Sequence, residues 1–251
     1  MRLKLIMDCN PGAVLPYNYN YQLVHIIRRA IHQVNPAGSG LGKCFNLYTF
    51  SQLYFEKYAI GKEGILNQGE RVHWYVTSPR IIFLETLLRG MKNIRSLQLG
   101  DSTLWVQGAE VLGDPDIKDK MEFSCMSPIS IACAGSGKDA RPRYGRIEDR
   151  DFSEKLRQDL ISKYYKVYDA LPSDENLHFE FNKTYIKNKA RVTRLVDFNG
   201  VKILGYMVPF TVTGNPELIQ LGYQLGFGHK NSCGFGMVKI WYSQQRQDEA
   251  G

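Results

Sequence analysis

The apolar pattern predicts an α+β chain made of two tandem βαββαβ units, each ferredoxin-like. Three observations carry this. From Arg2 to Leu112, alternating and helical periods follow one another as strand, helix, strand, strand, helix, strand. A polar, turn-rich segment follows, Asp114-Pro115-Asp116-Ile117-Lys118-Asp119-Lys120. The same order of periods then returns without obvious sequence repetition. The boundary is placed in the polar segment, giving domains 1–118 and 119–251.

In the first unit, Arg2 to Asp8 alternates, with Leu3, Leu5 and Met7 on one side. Pro11, Gly12 and Pro16 break the chain. A helix is predicted from Tyr21 to Val34, because Leu23, Ile26, Ile27, Ala30, Ile31 and Val34 share one face. Its polar side carries His25, Arg28, Arg29 and His32 at i, i+3, i+4 and i+7, a second stripe. Asn35 to Gly42 is a loop by composition. Leu47 to Phe55 and Val72 to Thr77 read as strands, and Pro79 opens a short helix with Ile82, Phe83, Leu87 and Leu88 as core candidates. Thr103 to Leu112 is the fourth strand.

The second unit starts with a strand from Phe123 to Cys133, then a Gly/Lys/Arg/Pro-rich loop, Ala134 to Arg146. Asp151 with Glu154 suggests a capped helix, buried through Leu156, Leu160, Ile161, Tyr164, Val167 and Tyr168. His178 to Phe181 and Val201 to Val212 read as strands. Between them Lys183, Lys187, Lys189, Arg191 and Arg194 form a basic run with no acid, expected in a hairpin. Pro216 sits at the first position of the last helix and Gly226 at its end. Met237 to Tyr242 is the last strand, and Arg246 to Gly251 a disordered tail.

Composition excludes several classes. The chain has 251 residues, a formal charge of +7 and a pI near 9.1, a balance that favours polyanionic partners. No apolar run approaches the roughly 18 residues of a transmembrane helix. The N-terminus lacks a signal-peptide core, so a cytoplasmic protein is expected. Five cysteines at irregular spacing point to neither a disulfide framework nor a zinc site, and no metal or other cofactor is expected.

The densest motif is Gly226-Phe227-Gly228-His229-Lys230-Asn231-Ser232-Cys233-Gly234-Phe235-Gly236, joining the last helix to the last strand. Four glycines allow positive φ and close approach of a ligand backbone. Exposed N–H groups in such a turn can hold a phosphate, with charge from Lys230 and hydrogen bonds from His229, Asn231 and Ser232. A dinucleotide fingerprint would need glycine at Asn231 and the loop before a helix. A P-loop would need Ser or Thr where Gly137-Lys138 is followed by Asp139.

This glycine motif resembles the C-terminal signature of the CRISPR repeat-processing endoribonucleases, within the repeat-associated mysterious protein superfamily. Leu15-Pro16-Tyr17-Asn18-Tyr19-Asn20-Tyr21 resembles that family's lead into its first helix. Leu47-Tyr48-Thr49-Phe50-Ser51 resembles its second strand, and Ser127-Pro128-Ile129 its mid-chain strand. The resemblance implies tandem ferredoxin-like domains, RNA bound along their surface, and metal-independent cleavage of precursor CRISPR RNA within the repeat. It also admits a homodimer and association with CRISPR effector-complex subunits.

Such cleavage uses the neighbouring 2′-hydroxyl as nucleophile. It needs groups to move two protons and to neutralise the phosphorane, roles suited to His and to Lys or Arg. The family's usual histidine, between the first helix and second strand, has no counterpart from Asn35 to Phe45. Asn46 stands where a lysine is expected and Arg28 where a tyrosine is. The local substitute is the helix stripe, with His32 as the acid/base candidate, His25 behind it, and Arg28, Arg29 or Lys43 stabilising charge. A repeat-binding protein that does not cut, or a structural RNA-binding subunit, is the alternative. Tyr17, Tyr19 and Tyr21 are candidates for base stacking, whereas His73 and His178 read as structural.

Overall fold

The computed structural model describes residues 1–36, 46–133 and 143–241. These divide into two compact units. Unit 1 holds Met1–Asp114 with Val196–Lys202 and Ser232–Gly234, and unit 2 holds the remaining described residues. Among the described residues no helix is long and apolar enough to cross a membrane.

Unit 1 runs β1 (Arg2–Cys9), β2 (Val14–Leu15), α1 (Asn20–Val34), β3 (Thr49–Phe50), β4 (Tyr54–Phe55), β5 (Tyr58–Ile60), β6 (Ile65–Asn67), β7 (Arg71–Thr77), α2 (Ile81–Lys92), β8 (Ser96–Leu99) and β9 (Ser102–Leu112). The main sheet has the order β3-β7-β1-β9-β8, with β4 also on β7. Taking β1, β3, β7 and β9 as the four strands of βαββαβ, the order is second, third, first, fourth, the ferredoxin-like arrangement. β1 is central and antiparallel to both neighbours, with Leu5 opposite Trp74 and Ala109. Alternation puts Leu3, Leu5 and Met7 in the core beside Val72, Trp74 and Val76. The apolar face of α1, Leu23, Ile26, Ile27, Ala30 and Ile31, is buried as its spacing requires.

The two helices of this unit meet at very close range. A Cβ added to Gly90 of α2 would lie 1.9 Å from the carbonyl oxygen of Ala30 of α1, so only glycine fits there.

The strand expected from Leu47 to Phe55 is interrupted. β3 and β4 both pair with β7, while the Ser51 hydroxyl between them accepts from the Tyr75 N–H at 3.1 Å. β8 and a small sheet of order β2-β6-β5 were not expected, being two to four residues each. α2 starts at Ile81, two residues after Pro79, and leaves Ile82 exposed.

Unit 2 runs β10 (Lys120–Cys125), β11 (Ala132–Cys133), β12 (Arg143–Tyr144), α3 (Phe152–Tyr168), β13 (Leu177–Phe181), α4 (Lys183–Asn188), β14 (Thr193–Phe198), β15 (Val201–Tyr206), β16 (Phe210–Gly214), α5 (Pro216–Leu225) and β17 (Val238–Ile240), with the tip of β14 and β15, Val196–Lys202, counted in unit 1. Its main sheet, β13-β16-β10-β17, repeats the second-third-first-fourth order. The core centres on aromatic rings, with Phe210 and Phe227 5.2 Å apart and Phe123 beside both.

Three local expectations change. Asp151 makes no capping bond; it pairs with Lys155 at 2.7 Å while Glu154 pairs with Arg157 at 2.7 Å, so charge pairing replaces the capping box. Tyr168 lies half exposed, off the buried face of α3. The basic run is not one hairpin. Lys183–Asn188 is helix α4, capped by the Asn182 side chain accepting from the Tyr185 N–H at 2.8 Å, and the hairpin is β14–β15.

Candidate nucleic-acid interface

In unit 1 the predicted stripe exists. His25, Arg28, Arg29 and His32 are exposed on α1 and, with Ile31, Asn35 and Pro36, line one pocket of about 410 Å³. His25 and His32 lie seven residues apart, about 10.5 Å along the axis, with Arg28 and Arg29 at positions between them on the helix. The His25 ring is set edge-on against Tyr21 at 4.4 Å, and Tyr21 against Phe198 at 5.4 Å. Lys43 falls outside the described residues.

Two further unit 1 groups stand near the stripe. Burial pushes the Tyr48 phenol above its ordinary range, the Arg28 charge opposes this and Cys233 adds to it. The phenol is therefore neutral and, being buried, cannot reach a ligand. Asn20, at the start of α1, donates to the carbonyl of Cys233 at 2.9 Å and to that of Gly234 at 3.4 Å. Of the three tyrosines, Tyr19 is buried, its hydroxyl accepting from the Leu53 N–H at 3.0 Å. Tyr17 is exposed and donates to the Gly61 carbonyl at 2.5 Å.

In the glycine segment the backbone is as predicted but its accessibility is not. Gly226, Gly228, Gly234 and Gly236 all have positive φ, between 73° and 93°, and all four are buried. Their missing Cβ atoms are excluded by protein. A Cβ at Gly236 would lie 2.1 Å from the Phe227 carbonyl, and one at Gly228 2.5 Å from the Ser130 carbonyl. The Gly226 N–H goes to Gly222, the Phe227 N–H to Gly236, the His229 N–H to Ser130 and the Gly236 N–H to Pro128. Asn231 is buried and donates to the Phe235 carbonyl at 3.0 Å. The N–H groups of Gly226 and Gly236 and the side chain of Asn231, expected to face a ligand, are thus engaged by the protein's own carbonyls. Only Lys230 is exposed, at φ 62°, with Ser232 half-buried.

What holds the unit 2 part of this loop is a buried ion pair that the sequence reading missed. Lys163 of α3, 7% exposed, donates to the carbonyls of Gly226 at 2.9 Å and Gly228 at 2.5 Å, and its ammonium lies 2.6 Å from Asp159. Burial pulls the Lys163 pKa below its ordinary value while Asp159 pushes it back. His229 accepts the Ala132 N–H on Nδ1 at 2.9 Å and faces Asp159 through Nε2 at 3.5 Å. Both imidazole nitrogens are engaged, so His229 braces the loop. Burial lowers its pKa, with Asp159 opposing. The signal was available: Lys163 falls on the apolar face defined by Leu156, Leu160 and Val167.

The basic run gives unit 2 a cationic surface. Lys183, Lys187, Lys189, Arg191 and Arg194 are all exposed, and Lys189 lies 5.6 Å above the Tyr185 ring. His178 is exposed on β13, contrary to a structural role.

Comparison with known proteins covers nearly the whole chain. The family model for the N-terminal part of CRISPR-associated protein Cas6 matches residues 14–110, and the C-terminal Cas6 model matches residues 112–240. The chain is 32% identical over 242 residues to CRISPR-associated endoribonuclease Cas6 1 of Methanocaldococcus jannaschii, covering 95% of this chain and 92% of that one. It is 30% identical over 234 residues to CRISPR-associated endoribonuclease Cas6 of Pyrococcus furiosus, covering 90% and 83%. A solved structure of a Cas6-related protein from Pyrococcus furiosus superposes with a TM-score of 0.87 at 26% identity, covering 97% and 99%.

Proposed function

Because this chain belongs to the Cas6 family of CRISPR-associated proteins, we propose that it binds CRISPR repeat RNA and cuts the precursor within the repeat. It is an RNA-binding endoribonuclease, and RNA is its partner. The α1 stripe carries the reading of where the cut is made. It gathers two imidazoles and two guanidinium groups around one open pocket.

The reaction assigned to this site is internal transesterification. The 2′-oxygen forms a bond to phosphorus, the bond from phosphorus to the 5′-oxygen breaks, and the products are a 2′,3′-cyclic phosphate and a 5′-hydroxyl. One proton leaves the 2′-hydroxyl and one reaches the departing 5′-oxygen. His32 is assigned a proton-transfer role, and Arg28 and Arg29 the charge on the phosphorane. Lys230, Lys183, Lys187, Lys189, Arg191 and Arg194 are assigned to phosphate contacts.

A repeat-binding protein that does not cut is the second reading. It is favoured by the absence of histidine from Asn35 to Phe45 and by Asn46 in place of the family's lysine. Incubating repeat RNA with the protein in EDTA, beside His32→Ala, separates the two. A single EDTA-resistant cut, slowed a hundredfold or more in His32→Ala, is expected, in line with the roughly 10²–10⁴-fold worth of one acid/base group. Tight binding with no cut would establish the second reading, and an undiminished cut by His32→Ala would remove the stripe from the chemistry.

A further inference from the structure

The open face of the unit 2 sheet carries a pocket that cleavage does not use and that shares only Lys183 with the proposed phosphate contacts. It has a volume of about 330 Å³, and its walls include Glu122, Glu180, Thr211, Lys183 and Trp241. The register fixes the row: Glu122 on β10 and Glu180 on β13 both stand opposite Thr211 of β16. The two carboxylates therefore share one face, about 10 Å apart at their Cα atoms. Trp241 follows β17 and is tied to the same row by its backbone N–H, which donates to the Glu122 carbonyl at 2.8 Å. Its indole is steadied edge-on by Tyr185 at 6.2 Å.

Carboxylates are out of place on a surface that must hold phosphates, since they repel them. They fit where a ligand presents N–H donors. An indole wall adds a stacking surface for a planar ring. Lys183 stands at the rim with its charge available to a phosphate attached to that ring. Among the four RNA bases only guanine offers two adjacent donors on its Watson–Crick edge, N1–H and N2–H, which match the two oxygens of one carboxylate. Adenine and cytosine offer one amino group each, and uracil places its single N–H between two carbonyls. We propose that this pocket is a guanine-reading subsite for single-stranded RNA, with Trp241 stacking on the base and Glu180 accepting from N1–H and N2–H. This rests on the RNA-binding reading above and adds base selectivity to it.

The test uses the whole protein and short single-stranded RNAs of uridine carrying one central guanosine, inosine, adenosine or cytidine. Inosine keeps N1–H and lacks the 2-amino group. Wild type is expected to bind the guanosine strand about tenfold more tightly than the others, the worth of one bidentate base contact. Glu180→Gln should erase that preference, and with it the difference between guanosine and inosine, while Trp241→Ala weakens all purine strands and Trp241→Tyr restores them. Melting curves would exclude misfolding. Equal affinity of wild type for all four strands, or a guanosine preference that survives Glu180→Gln, overturns the subsite and leaves RNA binding standing. An arginine-rich peptide that displaces no RNA yet loses affinity in Glu180→Gln would assign the pocket to a protein partner instead. If wild type binds none of the strands nor repeat RNA, the function itself fails.

Discussion

The α1 stripe and the glycine loop are both functional regions by sequence, and they are built in opposite ways. The stripe shows four charged or protonatable side chains to solvent on an ordinary amphipathic helix. The loop hides nearly everything it contains, is braced by a buried ion pair, and exposes little beyond Lys230. The conspicuous motif is therefore largely turned inward, and the quiet helix face is the one that presents its side chains to solvent.

The sharpest way to break this contrast is Lys163→Met. It leaves the largely buried Asp159 carboxylate with His229 as its one remaining partner in the pair network, which costs up to about 3–5 kcal/mol and should lower the Tm by up to about 10 °C. Adding Asp159→Leu should recover most of the loss. If Lys163→Met alone melts like wild type, the ion pair does not brace the loop.

Gly236→Ala comes next. It demands a positive φ from a residue with a Cβ and drives that atom toward the Phe227 carbonyl, so thermal unfolding should show a loss of about 2 kcal/mol. A loop opened to solvent would tolerate alanine far better.

A smaller effect tests His229. Its folded pKa lies below its unfolded value, so its stabilising contribution is complete above about pH 6.5 and is lost as pH falls below that toward the folded pKa. The Tm should fall more steeply between pH 7.5 and 5.5 in wild type than in His229→Gln, whose amide oxygen can still accept the Ala132 N–H. Equal slopes would detach His229 from the brace.

The smallest stability effects belong to the stripe and the basic run. Arg29→Ala with His32→Ala should shift stability by under about 0.5 kcal/mol, because neither side chain is buried. Lys187→Ala or Lys189→Ala should leave the Tm alone and reduce the salt slope of RNA binding by about 1 each, read from affinities at several salt concentrations.

Long periodic elements were legible in the sequence, and short ones were not. The helices α1, α3 and α5 and the strands β1, β7 and β9 each carry enough residues for a period to show. β2, β5 and β6 are two or three residues long and hold together by pairing with one another, which no local pattern records. α4 was misread because its lysines advertise charge and not period; its start is set by one side chain, Asn182. At the candidate site the stripe was visible because solvent exposure follows directly from helical spacing. The burial of the loop was not, since four glycines allow close approach of a ligand and of the protein's own carbonyls equally well. The Asp159–Lys163 brace was readable as a charge on an apolar face and was passed over, because a lysine there also reads as a helix-edge residue.

The contact between Gly90 and Ala30 has a consequence for evolution and for engineering. Residue 90 touches no candidate catalytic group, yet it fixes how far the backbone of α1 can settle toward α2. Any side chain there would act as a shim under the helix, lifting His25 and His32 together relative to the strands below. On the proposed site, activity would then change through alignment, with every candidate group still present, and a screen confined to polar residues would never find it.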